Sequence, residues 1–245
     1  MDSNDKDLDR RHFLRCMAWV GTGAMWTLSS GVLKGSPLGS AAGMPQMSKG
    51  SGALRFVQIS DSHIGFDKPA NTDVAATLRA AIAKIKAEPE APMFVLHTGD
   101  LTHLSKPAEF DTLQQILSEL SMPVFYVPGE HDILDDDGRA YVERFGKGTL
   151  GAGWHSFDHG GVHFIGLVNV VNLKAGGLGS LGAEQLSWLA NDVKHLKSST
   201  PIVVFAHIPL WSVYPDWGWG TDDSTQALAL LKRFGSVSVL NGHIH

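Results

Sequence analysis

Carboxylate and imidazole side chains follow several apolar segments of this sequence, at the points where those segments end. The five motifs are Asp61-Ser62-His63, Gly99-Asp100, Gly129-Glu130-His131-Asp132, Ala206-His207 and Gly242-His243-Ile244-His245. The chain has 12 histidines among its 245 residues, and histidine is both the commonest metal ligand and the usual acid or base near neutral pH. The motifs therefore indicate a metal centre that is coupled to acid–base chemistry.

Seven side chains from these motifs are candidate metal ligands: Asp61, His63, Asp100, Glu130, His207, His243 and His245. Three carboxylates that gather at one point repel each other unless a counter-charge is present. Two cations would supply that charge, and the mixture of oxygen and imidazole donors suits Zn, Mn or Fe better than Ca or Mg. Each motif alone is more typical of a loop or a helix cap, so the prediction depends on their combination.

Alternating strands and helices are predicted to position these motifs. Short apolar segments predict strands over residues 54–60, 93–98, 124–127, 154–157, 162–168, 202–206 and 237–240. Apolar residues at helical spacing predict a first helix that is capped by Asn71 or Thr72. They predict three further helices over 107–120, 183–196 and 225–234. This alternation indicates an α/β fold with helices that cover a sheet. Ligands of such folds bind beyond the carboxyl ends of the strands, where the motifs fall.

The first 42 residues have the layout of a signal peptide. The pair Arg10-Arg11 precedes a moderately apolar stretch, Met17 to Leu33, and Ser40-Ala41-Ala42 fits a processing site. The layout resembles a bacterial twin-arginine export signal and predicts a periplasmic or extracellular protein. The alternative is a retained membrane anchor, although the apolar stretch is short and interrupted by glycines for a span of about 20 residues. The predicted division is a signal over 1–42, a linker over 43–52 and a catalytic domain over 53–245.

The composition excludes several other classes of protein. A single cysteine, Cys16, excludes a disulfide framework and a cysteine-rich zinc module. The net charge of −5 argues against a nucleic-acid binder, which normally carries a basic stripe. After cleavage at Ala42 we expect no stable membrane span, and the sequence does not indicate an oligomeric state.

The order of the five motifs resembles the calcineurin-like metallophosphoesterase family, from about Phe56 to His245. The resemblance implies an α/β fold with a four-layer α/β/β/α sandwich and a centre of two metal ions (Fe, Mn or Zn). Because family members usually continue beyond the last motif, the fold is expected to lack its C-terminal strands. The implied ligands are Asp61, His63 and His245 for the first metal, Asp100 as the bridge, and His207 and His243 for the second.

Glu130 departs from the family pattern, because the resemblance implies an asparagine on the second metal at this position. A carboxylate there adds a negative charge beside that metal. We expect it to favour a harder or higher-valent ion such as Fe or Mn, and to weaken binding of dianionic monoesters.

The resemblance implies a hydrolase of phosphomonoesters or phosphodiesters that uses a metal-bridging hydroxide for in-line attack. His131 would contact the scissile phosphate and the leaving group, and Asp132 would orient His131. The expected substrate is a small-molecule or lipid-headgroup phosphoester. The alternative is a catalytically inactive metal-binding or interaction protein on the same scaffold. A carbohydrate-binding module is a weaker alternative, and a glycosidase with paired carboxylates would leave the histidines unexplained.

Five further residues are candidates for substrate contact: His103, Trp211, Tyr214, Trp217 and Trp219. His103 follows Asp100 by three positions, and its alternative is an exposed loop residue. The aromatic residues follow His207 and would form one wall of the active site, or else a hydrophobic plug beneath the C-terminal strands that the fold is expected to lack. His97 is interpreted as a core histidine. His155, His159, His163 and His195 lack a partner pattern and are interpreted as structural.

Overall fold

The computed structural model describes residues 23–29, 32–38 and 54–244. The strands are β1 (Ala24–Ser29), β2 (Val32–Pro37), β3 (Leu54–Ile59), β4 (Val95–His97), β5 (Val124–Tyr126), β6 (His155–His159), β7 (Val162–Gly166), β8 (Ile202–Phe205) and β9 (Val237–Leu240). The helices are α1 (Val74–Ala87), α2 (Pro107–Leu117), α3 (Arg139–Phe145), α4 (Gly182–Val193) and α5 (Ser224–Leu231).

The strands form two sheets. One has the order β2-β1-β3-β4-β5, and the other has the order β6-β7-β8-β9. Strands β3, β4 and β5 are parallel to each other, as are β7, β8 and β9. Parallel strands end at the same edge of a sheet, so the segments that follow each set emerge side by side.

Three hydrophobic clusters show why the chain folds into four layers. Alternate residues of a strand face opposite sides of the sheet, and in β3 Val57 and Ile59 pack with α1 and α2. Phe56 faces the other way and packs against Phe94 and against Phe164 of the second sheet. The ring centroids of these three residues are 5.2 to 5.4 Å apart. A third cluster joins the second sheet to α4 and α5. The predicted α/β/β/α sandwich is therefore confirmed.

The predicted elements differ from the observed ones mainly at their ends. The first helix begins after Asp73, whose side chain accepts a hydrogen bond from the Ala76 backbone nitrogen at 2.8 Å, so the predicted caps Asn71 and Thr72 are wrong. Helix α3 was not predicted, because its seven residues make only about two turns, which is too short for a clear helical period. The turn between β6 and β7 is confirmed, with Gly160 and Gly161 both at positive φ.

Part of the predicted export signal lies in the first sheet. Strand β1 pairs antiparallel with β3 and with β2, and Met25 and Leu28 are buried. Trp26 Nε1 donates a hydrogen bond to Gln58 Oε1 at 3.1 Å. Cleavage after Ala42 would remove both strands and uncover the edge of β3. The arginine pair, the cleavage site and the linker lie outside the described residues, so the signal stays a prediction.

Within the described ranges, no helix combines the length and the apolarity that crossing a membrane requires.

A buried histidine ties the second sheet to its covering helix. His163 on β7 lies 2.9 Å from Asp158 Oδ1 through Nδ1 and 2.9 Å from Asp192 Oδ2 through Nε2. Burial alone would lower the pKa of His163, but the carboxylates of Asp192 and Asp158 raise it. The two carboxylates therefore stabilise the protonated form of the ring, in agreement with the structural role predicted for this residue.

We expect Asp192→Asn to destabilise the fold in a pH-dependent manner. Because the pKa of folded His163 is raised, its contribution is complete below the unfolded value of about 6.5 and is lost as the pH rises through the folded value. A hydrogen bond to a charged group contributes about 1.5–3 kcal/mol, so the free energy of unfolding should fall by about that amount at pH 6 and by less at pH 9. Urea denaturation at both pH values measures this difference.

Asp67→Asn is the matched control, since Asp67 is exposed and forms an ion pair with the exposed Lys68. An equal loss of stability at both pH values for Asp192→Asn would contradict the ionic role of His163.

Candidate metal centre

Five strand ends deliver the predicted ligands to one place. Asp61 and His63 follow β3, Asp100 follows β4, and the short 3₁₀ turn of Glu130–Asp132 follows β5. From the second sheet, His207 follows β8 and His243 follows β9. The described ligand atoms form overlapping groups in which all atoms lie within 4.8 Å of one another: Asp61, Asp100 and His207; Glu130, His207 and His243.

The loops after β3 and β4 are joined by backbone hydrogen bonds beyond the ends of the strands. Asp61 N donates to Gly99 O at 2.9 Å, and His63 N donates to Asp100 O at 2.9 Å. Asp61, His63 and Asp100 have φ values of 55°, 43° and 49°, in the left-handed region that costs a non-glycine residue about 1–2 kcal/mol. Such strain is maintained only where the surroundings enforce it, so the ligand loops are held in place by their neighbours.

Asp100 lies at the centre of the cluster. Its Oδ2 atom is 3.3 Å from His63 Nε2 and 3.4 Å from His207 Nε2. Its Oδ1 atom accepts a hydrogen bond from the His131 backbone nitrogen at 3.1 Å. One carboxylate oxygen thus faces donors from both sheets, which is the position required of a bridging ligand.

The donor set fits the pair of metal ions that the motifs imply. The buried atoms His207 Nε2 and Glu130 Oε2 lie 3.0 Å apart as an ion pair, while His243 Nε2 is buried and makes no hydrogen bond to another described residue. Burying such polar atoms without partners is costly, and a cation between the rings and the carboxylates would remove that cost. Oxygen and imidazole donors in this mixture suit Zn, Mn or Fe.

The charges of the cluster are strongly coupled. Burial alone would lower the pKa of His207, but Asp100 and Glu130 raise it well above its ordinary value. Although burial opposes it, the same contacts lower the pKa of Asp100 and, together with His243, that of Glu130. Since a histidine binds a metal only when its ligating nitrogen is deprotonated, protons and cations compete for His207.

Backbone carbonyl groups orient two of the imidazoles. His207 Nδ1 donates to Thr98 O at 2.8 Å, which leaves Nε2 on the side of Asp100 and Glu130. His131 Nδ1 donates to His103 O at 2.7 Å. A hydrogen bond of this kind fixes both the ring orientation and the tautomer of a ligand or catalytic histidine.

Asp132 has a different role from the one predicted. Its carboxylate accepts hydrogen bonds from the backbone nitrogens of Leu101, Thr102 and Gly129 at 2.8–3.0 Å, and from the Thr102 hydroxyl at 2.9 Å. The side chain faces the β4 loop, so His103 O and not Asp132 orients the ring of His131. Burial and the charge of Asp100 raise the pKa of Asp132 to about 7, against the effect of these donors. Asp132 therefore joins two ligand loops.

The family model for calcineurin-like phosphoesterases matches residues 54–245. The chain belongs to this family. A metal-dependent phosphoesterase is therefore the enzyme class that the fold, the family and the donor set support together.

Relatives and a solved structure agree with this assignment. A 3′,5′-cyclic-nucleotide phosphodiesterase of Nostoc sp. is 27% identical over 199 residues, covering 78% of this chain and 71% of that protein. A glycerophosphodiester phosphodiesterase of Enterobacter lignolyticus is 25% identical over 208 residues, covering 78% and 71%. A dimetal phosphatase from Danio rerio shares the fold, with a TM-score of 0.64, 16% identity, and coverage of 78% of this chain and 82% of that one.

Glu130 lies among the ligands of this calcineurin-like phosphoesterase despite its departure from the family pattern. Its Oε1 atom is 2.9 Å from His243 Nδ1, and its Oε2 atom is 3.0 Å from His207 Nε2. Each carboxylate oxygen thus faces one of the two histidines predicted for the second metal.

His97 is a core histidine, as predicted, but it also supports the first ligand loop. It is fully buried on β4, and its Nε2 atom lies 2.5 Å from the hydroxyl of Ser62, which stands between Asp61 and His63. Burial and nearby His207 lower the pKa of His97 to about 3, so the ring is neutral. The sequence signal for this role was an imidazole in an otherwise apolar strand that leads into a ligand motif.

The aromatic loop after His207 is exposed at its tip. Trp211, Tyr214 and Trp217 are each exposed by 45–49%, while Trp219 is partly buried and meets Trp217 edge-on at 5.1 Å. Substrate contact by the four rings and the alternative of a hydrophobic plug both stay predictions. His245, the remaining predicted ligand, lies outside the described residues.

We expect Gly129→Ala to disrupt metal binding. A Cβ atom at Gly129 would overlap Asp100 Oδ1 and the Asp100 backbone nitrogen, so the central carboxylate would have to move. The strain of such overpacking is typically 1–3 kcal/mol. Metal content after loading with Mn²⁺, measured by mass spectrometry, should fall below that of the wild type while the circular dichroism spectrum is retained.

Gly235→Ala is the control, because a Cβ atom there comes only within 3.8 Å of Ser198 O. Full metal content in Gly129→Ala would mean that the position of Asp100 is not critical for the centre.

Proposed function

We propose that the chain is a phosphodiesterase that hydrolyses small phosphodiesters with the help of two metal ions. The observation that carries the proposal is the convergence of six described carboxylate and imidazole side chains from five strand ends, with His131 beside them. The family membership and the phosphodiesterase names of the relatives support it.

We assign Asp61 and His63 to the first metal, Asp100 to a position between the two, and Glu130, His207 and His243 to the second. By resemblance, His245 completes the first set. When bound, the metal ions would lower the pKa of a water molecule and neutralise charge on the phosphate. The protein contributes the fixed positions of the donors, because the loops are joined to each other by backbone hydrogen bonds.

His131 is the proposed proton donor to the leaving group. Since His131 Nδ1 is held by the His103 carbonyl group, the opposite nitrogen, Nε2, is the one that can carry a proton to a departing alkoxide. The ring is partly exposed, and its backbone nitrogen is held by Asp100. A substrate bound at the cluster would therefore meet a ring of fixed orientation.

The charge of the site favours a diester over a monoester. The three carboxylates of Asp61, Asp100 and Glu130 offset most of the charge of two divalent cations. An asparagine at position 130 would leave about one more positive charge. A monoester is a dianion near neutral pH and a diester is a monoanion, so the extra carboxylate reduces the electrostatic attraction for the monoester more strongly.

We expect the Mn-, Fe- or Zn-loaded protein to hydrolyse bis(p-nitrophenyl) phosphate faster than p-nitrophenyl phosphate, and chelation to abolish both activities. His131→Ala should lower kcat by about 10²–10⁴-fold for a diester with an alkoxide leaving group, because such a group needs a proton. The loss should be smaller for nitrophenolate, which departs without one. Metal content should not change.

His195→Ala is the control, since His195 is exposed outside the site. Bound metal without turnover of any ester would favour the alternative of a catalytically inactive metal-binding protein. Equal losses for both leaving groups would remove His131 from proton transfer.

We expect Glu130→Asn to shift the specificity towards monoesters. The kcat/KM ratio of monoester to diester should rise on the order of tenfold, because one negative charge is removed beside the substrate phosphate. The preference for Fe or Mn over Zn, measured by competitive metal loading, should fall. Glu130→Gln is the matched variant, since it removes the charge and keeps the length of the side chain. An unchanged ratio and an unchanged metal preference in both variants would contradict the role of the carboxylate.

A further inference from the structure

Three imidazoles form a group on one side of the metal centre. His103 and His131 are stacked, with ring centroids 5.0 Å apart and planes at 17°. His63 meets both rings edge-on, at 4.8 Å from His131 and 5.7 Å from His103. One nitrogen from each ring lies within 4.8 Å of the others. This imidazole group contains no carboxylate, in contrast to the rest of the centre.

The segments that carry His103 and His131 are joined into one unit. The Ser105 hydroxyl donates to His131 O at 2.7 Å, and the His131 ring donates to His103 O at 2.7 Å. On the other side of the loop, Glu109 is buried and accepts a hydrogen bond from Leu104 N at 2.8 Å. The backbone of His103 is therefore as firmly placed as that of His131.

One ring nitrogen of His103 has no hydrogen-bond partner among the described residues. Its Nδ1 atom is buried and makes no hydrogen bond with any described residue. Phe66 covers the ring edge-on at 5.1 Å and holds it against His131. The residue as a whole is partly exposed. His103 is thus a partly exposed histidine that is packed against Phe66 and His131 and lies beside His63 of the candidate metal centre.

We infer that His103 is a second substrate-contacting imidazole, which binds a phosphoryl oxygen of the diester beside His131. The chemical class follows from the donors, because neighbouring imidazole N–H groups attract an anionic oxygen. A third metal ion is less suited to the imidazole group, since His131 Nδ1 already donates to a carbonyl group and His63 Nε2 faces Asp100. The inference rests on the proposed phosphodiesterase function.

The test uses His103→Ala, with His103→Asn as a second variant that keeps a polar side chain if the alanine variant fails to fold. Binding of inorganic phosphate to the Mn-loaded protein is measured by calorimetry, and kcat and KM are measured with bis(p-nitrophenyl) phosphate. Loss of a hydrogen bond to a charged group should weaken phosphate binding by about 10- to 100-fold. KM should rise, and the metal content should stay the same.

His195→Ala serves again as the matched histidine control. Because His103 and His131 are in contact, their effects on phosphate binding should be non-additive in the double variant. Unchanged phosphate binding and KM in His103→Ala would overturn the inference, and so would the loss of a bound metal ion, since His103 would then be a ligand. If the wild type binds phosphate but hydrolyses no ester, the proposed function fails, while the calorimetry still decides the role of His103.

Discussion

The gathering of three carboxylates in a mostly buried cluster is the constraint on which the rest of the site depends. Asp61 and Asp100 are almost fully buried, and Glu130 is only partly exposed. Their mutual repulsion has to be balanced by positive charge, and the protonated form of His207, which lies between Asp100 and Glu130, is one source among the described residues. Cations in place of that proton provide a larger charge. A fold that places these groups together is therefore stabilised by binding metal.

The layers of the sandwich make this cluster possible because the two sheets supply different ligand residues to it. The first sheet supplies carboxylates from loops whose backbone has positive φ values. Backbone hydrogen bonds and the carboxylate of Asp132 hold these loops in place. The second sheet supplies His207 and His243. The aromatic layer around Phe56 and Phe164 fixes the distance between the sheets, so the separation of the two ligand sets is determined by the hydrophobic core.

The sequence predicted those parts of this arrangement that depend on neighbouring residues in the chain. Apolar segments identified the strands, and polar residues at their ends identified the side chains that gather at one place, because both signals are local. The partner of Asp132 could not be predicted, since its hydrogen bonds go to backbone atoms about 30 residues away. The contact of His97 with Ser62 likewise depends on the register between β3 and β4. The hairpin of β1 and β2 was missed because its residues also fit a signal peptide.

The imidazoles and carboxylates are distributed unevenly, so the electrostatic potential differs between the two sides of the centre. Glu130 pairs with His207 and His243 and also lies near His131, whereas His103 stacks on His131 beside His63. An anion is repelled from the carboxylate side and attracted to the imidazole side. If the proposed function holds, a phosphodiester is expected to bind with its departing oxygen towards His131, since the group of His63, His103 and His131 is the one described group of candidate donors that has no carboxylate member.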